Sequence, residues 1–371
     1  MIVDFFFLVL VNIMSFEREN ITRIEGYSPG EQPSSSDIIK LNTNENPYPA
    51  SPLVAETLAT IKVSELRRYP SPSADEFCNL AAKIHKVCPE SIIPTNGGDE
   101  LLRLTLTTFA EENDTLAITT PSYSLYPILA SIHGCSLIEV PLNEDLTYPE
   151  KLPDLLGKLS AKICILVNPH APTGALLPVS FIDELAGNFE GVLVVDEAYV
   201  DFVDPASKYD SIPLINEHRN LLLLRTLSKG YSLAGLRFGY GIGDPELIAP
   251  IKFKTRDSYN TDYISQQLAC AALNSQDYAM STWDKIRSSR KNLSRQLNQL
   301  GVKTWPSETN FILAKIPDNP GAEYVYKKLR ADHILVRHFD LDNLRDKIRI
   351  TVGSEDENKD FISSLETILK D

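Results

Sequence analysis

Between about residues 53 and 243 short apolar runs alternate with helix-patterned segments. The runs are Leu116–Thr120, Ser136–Pro141, Ile163–Val167, Val192–Val195, Asn220–Leu224 and Phe238–Ile242. Continuous Val/Ile/Leu runs of this length read as strands buried on both faces, and the helices between them imply a parallel sheet. After about residue 270 the rhythm changes. A long polar helix over Thr282–Leu300 closes at Gly301, a good C-cap. Strand patterns follow at Phe311–Ala314, Ile334–Arg337 and Ile348–Val352, with a helix pattern at Ala322–Leu329 between the first two. A last helix opens at Ser354, with Glu357 three residues on to complete a capping box.

The expected fold is therefore α/β. Residues 53–265 form a large domain with a mostly parallel sheet flanked by helices, and residues 266–371 a smaller α+β C-terminal domain. Residues 1–52 are an N-terminal extension and arm, whose polar Pro/Ser/Asn-rich part from 21 predicts extended chain. Phe5–Val11 is apolar but too short to span a bilayer, and it lacks the charged flank and cleavage site of a secretory signal. It reads as an apolar extension or as residues upstream of a true start at Met14; the ordinary polar sequence after Met14 favours the second.

Composition narrows the function. With 36 Lys+Arg against 50 Asp+Glu the net charge is −14, a poor match for nucleic-acid backbones. At 43% apolar residues the chain can bury a large core. The five cysteines, Cys78, Cys88, Cys135, Cys164 and Cys270, show no metal-ligand spacing. They read as small buried hydrophobes of a cytoplasmic protein, with no metal, nucleic-acid or membrane partner expected.

Polar groups gather where strands end, which is where open α/β sheets bind ligands. Lys229 lies in the small-residue segment Thr226-Leu-Ser-Lys-Gly-Tyr-Ser-Leu-Ala-Gly235, directly after a buried strand. Burial disfavours an ammonium ion, and a desolvated lysine becomes a nucleophilic amine. Asp196 ends Val192-Leu-Val-Val-Asp; it either caps the next helix or faces a ligand. In Asn96-Gly-Gly-Asp-Glu100 two glycines open a helix whose free N–H groups suit a phosphate.

The Lys229 segment resembles the pyridoxal-phosphate attachment signature of class-II aminotransferases of fold type I, with Arg237 eight residues on, where that family places a phosphate-binding arginine. Further motifs resemble the histidinol-phosphate aminotransferase group: Tyr27-Ser-Pro-Gly30, Lys40-Leu-Asn-Thr-Asn-Glu-Asn-Pro47, Arg68-Tyr-Pro70 and Ile348-Arg-Ile-Thr-Val-Gly353.

The resemblance implies pyridoxal 5′-phosphate as cofactor and Lys229 as the catalytic Schiff-base lysine. Asp196 is then the partner of the pyridine nitrogen, Tyr199 a donor to the ring oxygen and Tyr123 the stacking aromatic. Gly98, Asp99, Ser228 and Arg237 complete the cofactor set. Tyr69 reaches the cofactor phosphate of a neighbouring subunit, which implies a homodimer, and Tyr27 approaches substrate across the same interface. Arg349 holds the carboxylate of glutamate, and with Arg337 the phosphate of histidinol phosphate. The activity implied is amino transfer from histidinol phosphate to 2-oxoglutarate. An aromatic-amino-acid aminotransferase, or a non-catalytic effector-binding protein on this fold, are the rivals.

One loop departs from the family pattern. Asn168-Pro-His-Ala-Pro-Thr-Gly174 has Ala171 where the family has an asparagine that donates to the ring oxygen. Asn168 with Tyr199 is expected to replace that donor, with His170 facing solvent.

Overall fold

The computed structural model describes residues 16–370 apart from 34, 36 and 159. The apolar run Phe5–Val11 and Met14 lie outside them. Seven strands form the large sheet, in the order Ile92–Thr95, Gly239–Gly243, Leu221–Thr226, Val192–Asp196, Ile163–Val167, Thr115–Thr120, Ser136–Pro141. All run the same way except Gly239–Gly243, which is antiparallel to both neighbours. A parallel return needs a long crossover, usually a helix. Residues 227–238 supply only a 3-10 turn at Ala234–Leu236, so the chain comes back antiparallel.

Alternate side chains of the central strands enter two cores. Cys164, Leu166, Leu193, Val195, Leu221 and Leu223 face one layer of helices; Ile163, Ile165, Val194, Leu222 and Leu224 face the other. Burial on both sides is why these strands read as unbroken apolar runs. Ser136–Pro141 differs: it is an edge strand, only half-buried, with Glu139 and Pro141 blunting the edge.

The smaller sheet is antiparallel, ordered Arg337–His338, Lys347–Thr351, Phe311–Lys315, Lys303–Thr304. Its core takes residues from the helices Gln276–Gln299, Ala322–Ala331 and Glu355–Lys370. The expected capping box is present: Ser354 N donates to Glu357 Oε2 at 2.7 Å and Glu357 N to Ser354 Oγ at 3.3 Å.

Three expectations need correction. Ile334–Arg337 is not one strand, because the pairing breaks at Val336, with Ile334–Leu335 and Arg337–His338 in different sheets. The arm is not all loose chain. Its Ile39–Lys40 pairs in parallel with Ile334–Leu335, and Leu41 is buried in the smaller core. The helix Tyr263–Leu273 packs into the large core through Leu268–Leu273. Cys88 is exposed rather than buried.

Candidate active site

Every parallel strand ends at one edge of the large sheet, and a cavity of about 480 Å³ opens there. The arm segment Asn42–Asn44 and the small-sheet residues Arg337 and Arg349 close it from above. Eleven of the residues expected at the site line it: Tyr27, Gly98, Asp99, Tyr123, Asp196, Tyr199, Ser228, Lys229, Arg237, Arg337 and Arg349.

Lys229 Nζ donates to the carbonyl of Thr43 at 2.8 Å and lies 5.9 Å from the centre of the Tyr199 ring. Burial is the main cause that lowers its pKa to about 8; the nearby Arg349 charge adds to the effect, and Glu45 opposes it. At neutral pH roughly a tenth of such an amine is free base, a far larger share than for an ordinary lysine.

Asp196 accepts from Tyr126 Oη at 2.7 Å and from Ala198 N at 3.1 Å. Burial pushes its carboxyl up to about 6 despite those bonds. A cationic group bound beside it would offset that burial cost by pairing the charge. Tyr199 packs edge-on against Phe311, 5.1 Å between ring centres, and its oxygen accepts from Asn44 Nδ2 at 3.0 Å.

Gly98, Asp99, Ser228 and Arg237 come together at one end of the cavity. Gly97 and Gly98 start the helix Gly97–Phe109, whose first N–H groups have no intrahelical partner. Gly97 has φ +77°, and a Cβ there would come within 2.6 Å of Arg237 Nη2. Arg237, itself left-handed at φ +56°, donates from Nη1 to Ala234 O at 3.1 Å and to Ser228 Oγ at 3.4 Å, and lies 3.5 Å from Asp99. A guanidinium, a hydroxyl and a helix N-terminus converging on a cradle without side chains suit a phosphate. With Lys229 and Asp196 they match the donor set pyridoxal 5′-phosphate requires.

Arg337 and Arg349 are directly opposed across two antiparallel strands. Like charges in that position repel. The Arg349 guanidinium carbon lies 5.1 Å from the Phe311 ring centre and 5.6 Å from that of Phe339, which Arg337 also approaches at 5.5 Å. Arg349 Nη2 donates to Asn42 O at 3.1 Å, but its buried Nε has no hydrogen-bond partner among the described residues. Two facing guanidinium groups, one with a spare buried donor, make an anion site.

Two placements, those of Asn168 and His170, differ from expectation. Asn168 does not face the cavity: its Nδ2 donates to Tyr209 Oη at 2.9 Å and to Leu177 O at 3.2 Å, and its Oδ1 accepts from Leu177 N at 2.8 Å. Its rigid place at the strand end ties it into the loop instead. His170 is fully buried, not solvent-facing, with Nδ1 2.8 Å from Thr173 Oγ1 and its ring edge-on to Tyr148. Burial lowers its pKa to about 4, which keeps it neutral. Tyr27 lines its own chain's cavity, edge-on to Tyr123 at 5.6 Å. Tyr69 lies away from the cavity, 81% exposed and stacked on Tyr259 at 4.5 Å.

Sequence reasoning missed Asn44, Tyr126 and Phe339. Asn44 stands inside a motif already singled out, and its left-handed φ of +57° is a conformation asparagine tolerates. Nothing in the sequence marks Tyr126 or Phe339. The one grouping of metal-ligand type among the described residues, Asp183, Glu217 and His218, lies outside the cavity lining.

Comparison with known proteins gives this geometry a lineage. The family model for aminotransferase class I and II matches residues 36–365. The histidinol-phosphate aminotransferase 1 of Trichormus variabilis is 39% identical over 357 residues, covering 96% of this chain and 99% of that protein. The histidinol-phosphate aminotransferase of Citrifermentans bemidjiense is 41% identical over 349 residues, 94% of this chain and 97% of that one. Among solved structures, the histidinol-phosphate aminotransferase of Sinorhizobium meliloti in complex with pyridoxal-5′-phosphate superposes with a TM-score of 0.82 at 26% identity, covering 90% of this chain and 91% of that one. The chain belongs to the class I and II aminotransferase family.

Proposed function

We propose that this aminotransferase moves an amino group from histidinol phosphate to 2-oxoglutarate, giving imidazole-acetol phosphate and glutamate, with pyridoxal 5′-phosphate as cofactor. The observation that carries the donor assignment is the opposed pair Arg337 and Arg349 at the mouth of the cavity. An aromatic donor brings one carboxylate; a donor ending in a phosphate brings the charge two arginines need. Relatives at 39% and 41% identity that bear the name support the same reading.

When bound, the cofactor supplies an electron sink for charge at the substrate carbon that loses its proton. Asp196 holds that sink in its cationic form by pairing with the ring nitrogen. Gly98, Ser228 and Arg237 anchor the phosphate, and Tyr123 fixes the ring plane. Lys229 would hold the cofactor and, with its amine freed, would take and return the proton at the substrate carbon as general acid/base. Its depressed pKa leaves enough free base at neutral pH for that work. Arg349 takes the carboxylate of 2-oxoglutarate in one half-reaction and shares the donor's phosphate with Arg337 in the other.

The active unit of this reading is a homodimer in which Tyr69 serves the partner's cofactor; its exposure and its distance from its own cavity support that role. The site of action is the cytoplasm, in keeping with five free cysteines. Among the described residues no helix is long and apolar enough to cross a membrane. An amino-donor panel with 2-oxoglutarate tests the donor. Histidinol phosphate should exceed phenylalanine and tyrosine in kcat/KM by at least about tenfold, the worth of one charge-assisted hydrogen bond. Parity would move the assignment to an aromatic donor, and no turnover with any donor would favour an effector-binding role.

A further inference from the structure

Ala171 lines the cavity with a methyl group, where the resembling family carries an amide that donates to the cofactor's ring oxygen. Of the side chains the sequence offered in its place, Asn168 is held by Leu177 and Tyr209. His170, with Nδ1 against Thr173 and a buried Nε2 that has no partner among the described residues, is absent from the cavity lining as Asn168 is. Tyr199 alone of the three faces the cavity. A tyrosine hydroxyl has one proton, and its neighbours decide where that proton points.

Asn44 makes that decision. Its backbone N–H donates to Thr351 Oγ1 at 3.0 Å, and the threonine proton returns to Asn44 Oδ1 at 3.1 Å. With the amide oxygen held by Thr351, Nδ2 is turned toward Tyr199 and donates to its oxygen at 3.0 Å. Asn310 Nδ2 holds the Asn44 carbonyl at 2.9 Å, and Asn44 is buried. Tyr199 therefore accepts from the arm and keeps its own proton for the cavity.

We propose that Asn44 is a positioning residue that presents the Tyr199 hydroxyl as donor to the cofactor's ring oxygen, making up for the alanine at position 171. The inference rests on the proposed cofactor. An N–H directed at the phenol oxygen also makes its O–H a better donor, because bonds in a chain polarise one another.

The test is the pH midpoint of the visible absorbance of the full chain loaded with pyridoxal 5′-phosphate, in a double-variant cycle. Asn44→Gly removes the amide and tolerates the left-handed backbone. Asn44→Asp keeps the shape, but its carboxylate only accepts and draws the Tyr199 proton away from the cavity. Asn44→Asp, which takes the Tyr199 proton from the ring oxygen, should raise the midpoint by about 0.5 to 1 unit, and Asn44→Gly, which leaves that hydroxyl unaimed, should raise it by less.

In a Tyr199→Phe background Asn44→Gly should add nothing, and Asn44→Asp only the shift its new charge causes. Arg349, Asp196, Tyr27, Tyr123, Tyr126 and Lys229, the other charged or titratable groups acting on Tyr199, stay the same around the cycle. Far-ultraviolet circular dichroism of each unloaded variant confirms folding, and the Asp series alone completes the cycle if Asn44→Gly does not fold. Additive shifts, or an unchanged midpoint in both single variants, overturn the inference while leaving the cofactor in place. A parent chain that takes up no pyridoxal 5′-phosphate overturns it together with the proposed function.

Discussion

At the scale of single residues, the site sets function against stability. Asp196 has its pKa raised to about 6 by burial. A raised carboxyl pKa means that the folded chain holds its proton more tightly than the unfolded chain. The associated stability is complete below about pH 4 and is lost as pH rises through about 6, a change on the order of 3 kcal/mol. In the unloaded protein, Asp196→Asn should therefore gain Tm relative to the parent as pH goes from 4 to 7. The same variant should bind pyridoxal 5′-phosphate more than about tenfold more weakly, since the ring nitrogen loses its ion pair. A Tm difference that stays flat across that range would refute the assignment of burial as the cause. Lys229→Ala should stay folded but lose both turnover and the visible absorbance of lysine-bound cofactor; a variant retaining either would show that another lysine does the work. Lys229, Asp196 and Arg237 were legible in the sequence because each follows or precedes a buried strand at a short, fixed spacing. Asn44 and Phe339 were not, since their meaning lies in contacts with Tyr199 and the two arginines that local pattern does not encode.

At the scale of elements, the helix Gly97–Phe109 and the small sheet each bring one anion site to the cavity. Gly97→Ala combines a left-handed backbone with a clash against the Arg237 guanidinium. The first effect costs about 1 kcal/mol, seen as a Tm lower by a few degrees. The second moves a flexible side-chain end, so it should show mainly as weaker binding of pyridoxal 5′-phosphate in a fluorescence titration. On the small sheet, Arg337→Gln should lower kcat/KM for histidinol phosphate about 10- to 100-fold while largely sparing 2-oxoglutarate; Arg349→Gln should impair both. Equal losses for both substrates in Arg337→Gln would remove the division of labour. The central strands were readable because burial on both faces leaves continuous apolar runs. The reversed strand Gly239–Gly243 and the break at Val336 were not, because both depend on where the chain must go next rather than on which side chains it carries. The arm strand was hidden for a related reason. Ile39–Lys40 has too few residues to show a period and gains its order from Ile334–Leu335, far away in sequence.

At the scale of the whole molecule, Tyr69 is absent from the lining of its own chain's cavity and lies exposed on the surface. It stacks on Tyr259, itself 45% exposed, and Val63 in the preceding 3-10 turn and Leu66 just after that turn are exposed a few residues before it. Aromatic rings left in solvent lose the stabilisation that burial gives them, whereas a second copy of the chain would cover both at a symmetric contact. If that contact delivers Tyr69 to the partner's phosphate cradle, Lys229 and Tyr69 of one working site come from different chains. Lys229→Ala and Tyr69→Ala are then each impaired alone, for different reasons, and each retains what the other lacks. Mixed and allowed to exchange subunits at random, they form hybrids in which one site has both residues intact and the other has neither. Half of the dimers are hybrids, so about a quarter of all sites recover. The measurement is turnover of the mixture against each variant alone, with exchange verified by mass spectrometry of differently tagged chains. Recovery near that fraction supports a shared site. Exchange without recovery would mean that Tyr69 serves only the surface on which it lies.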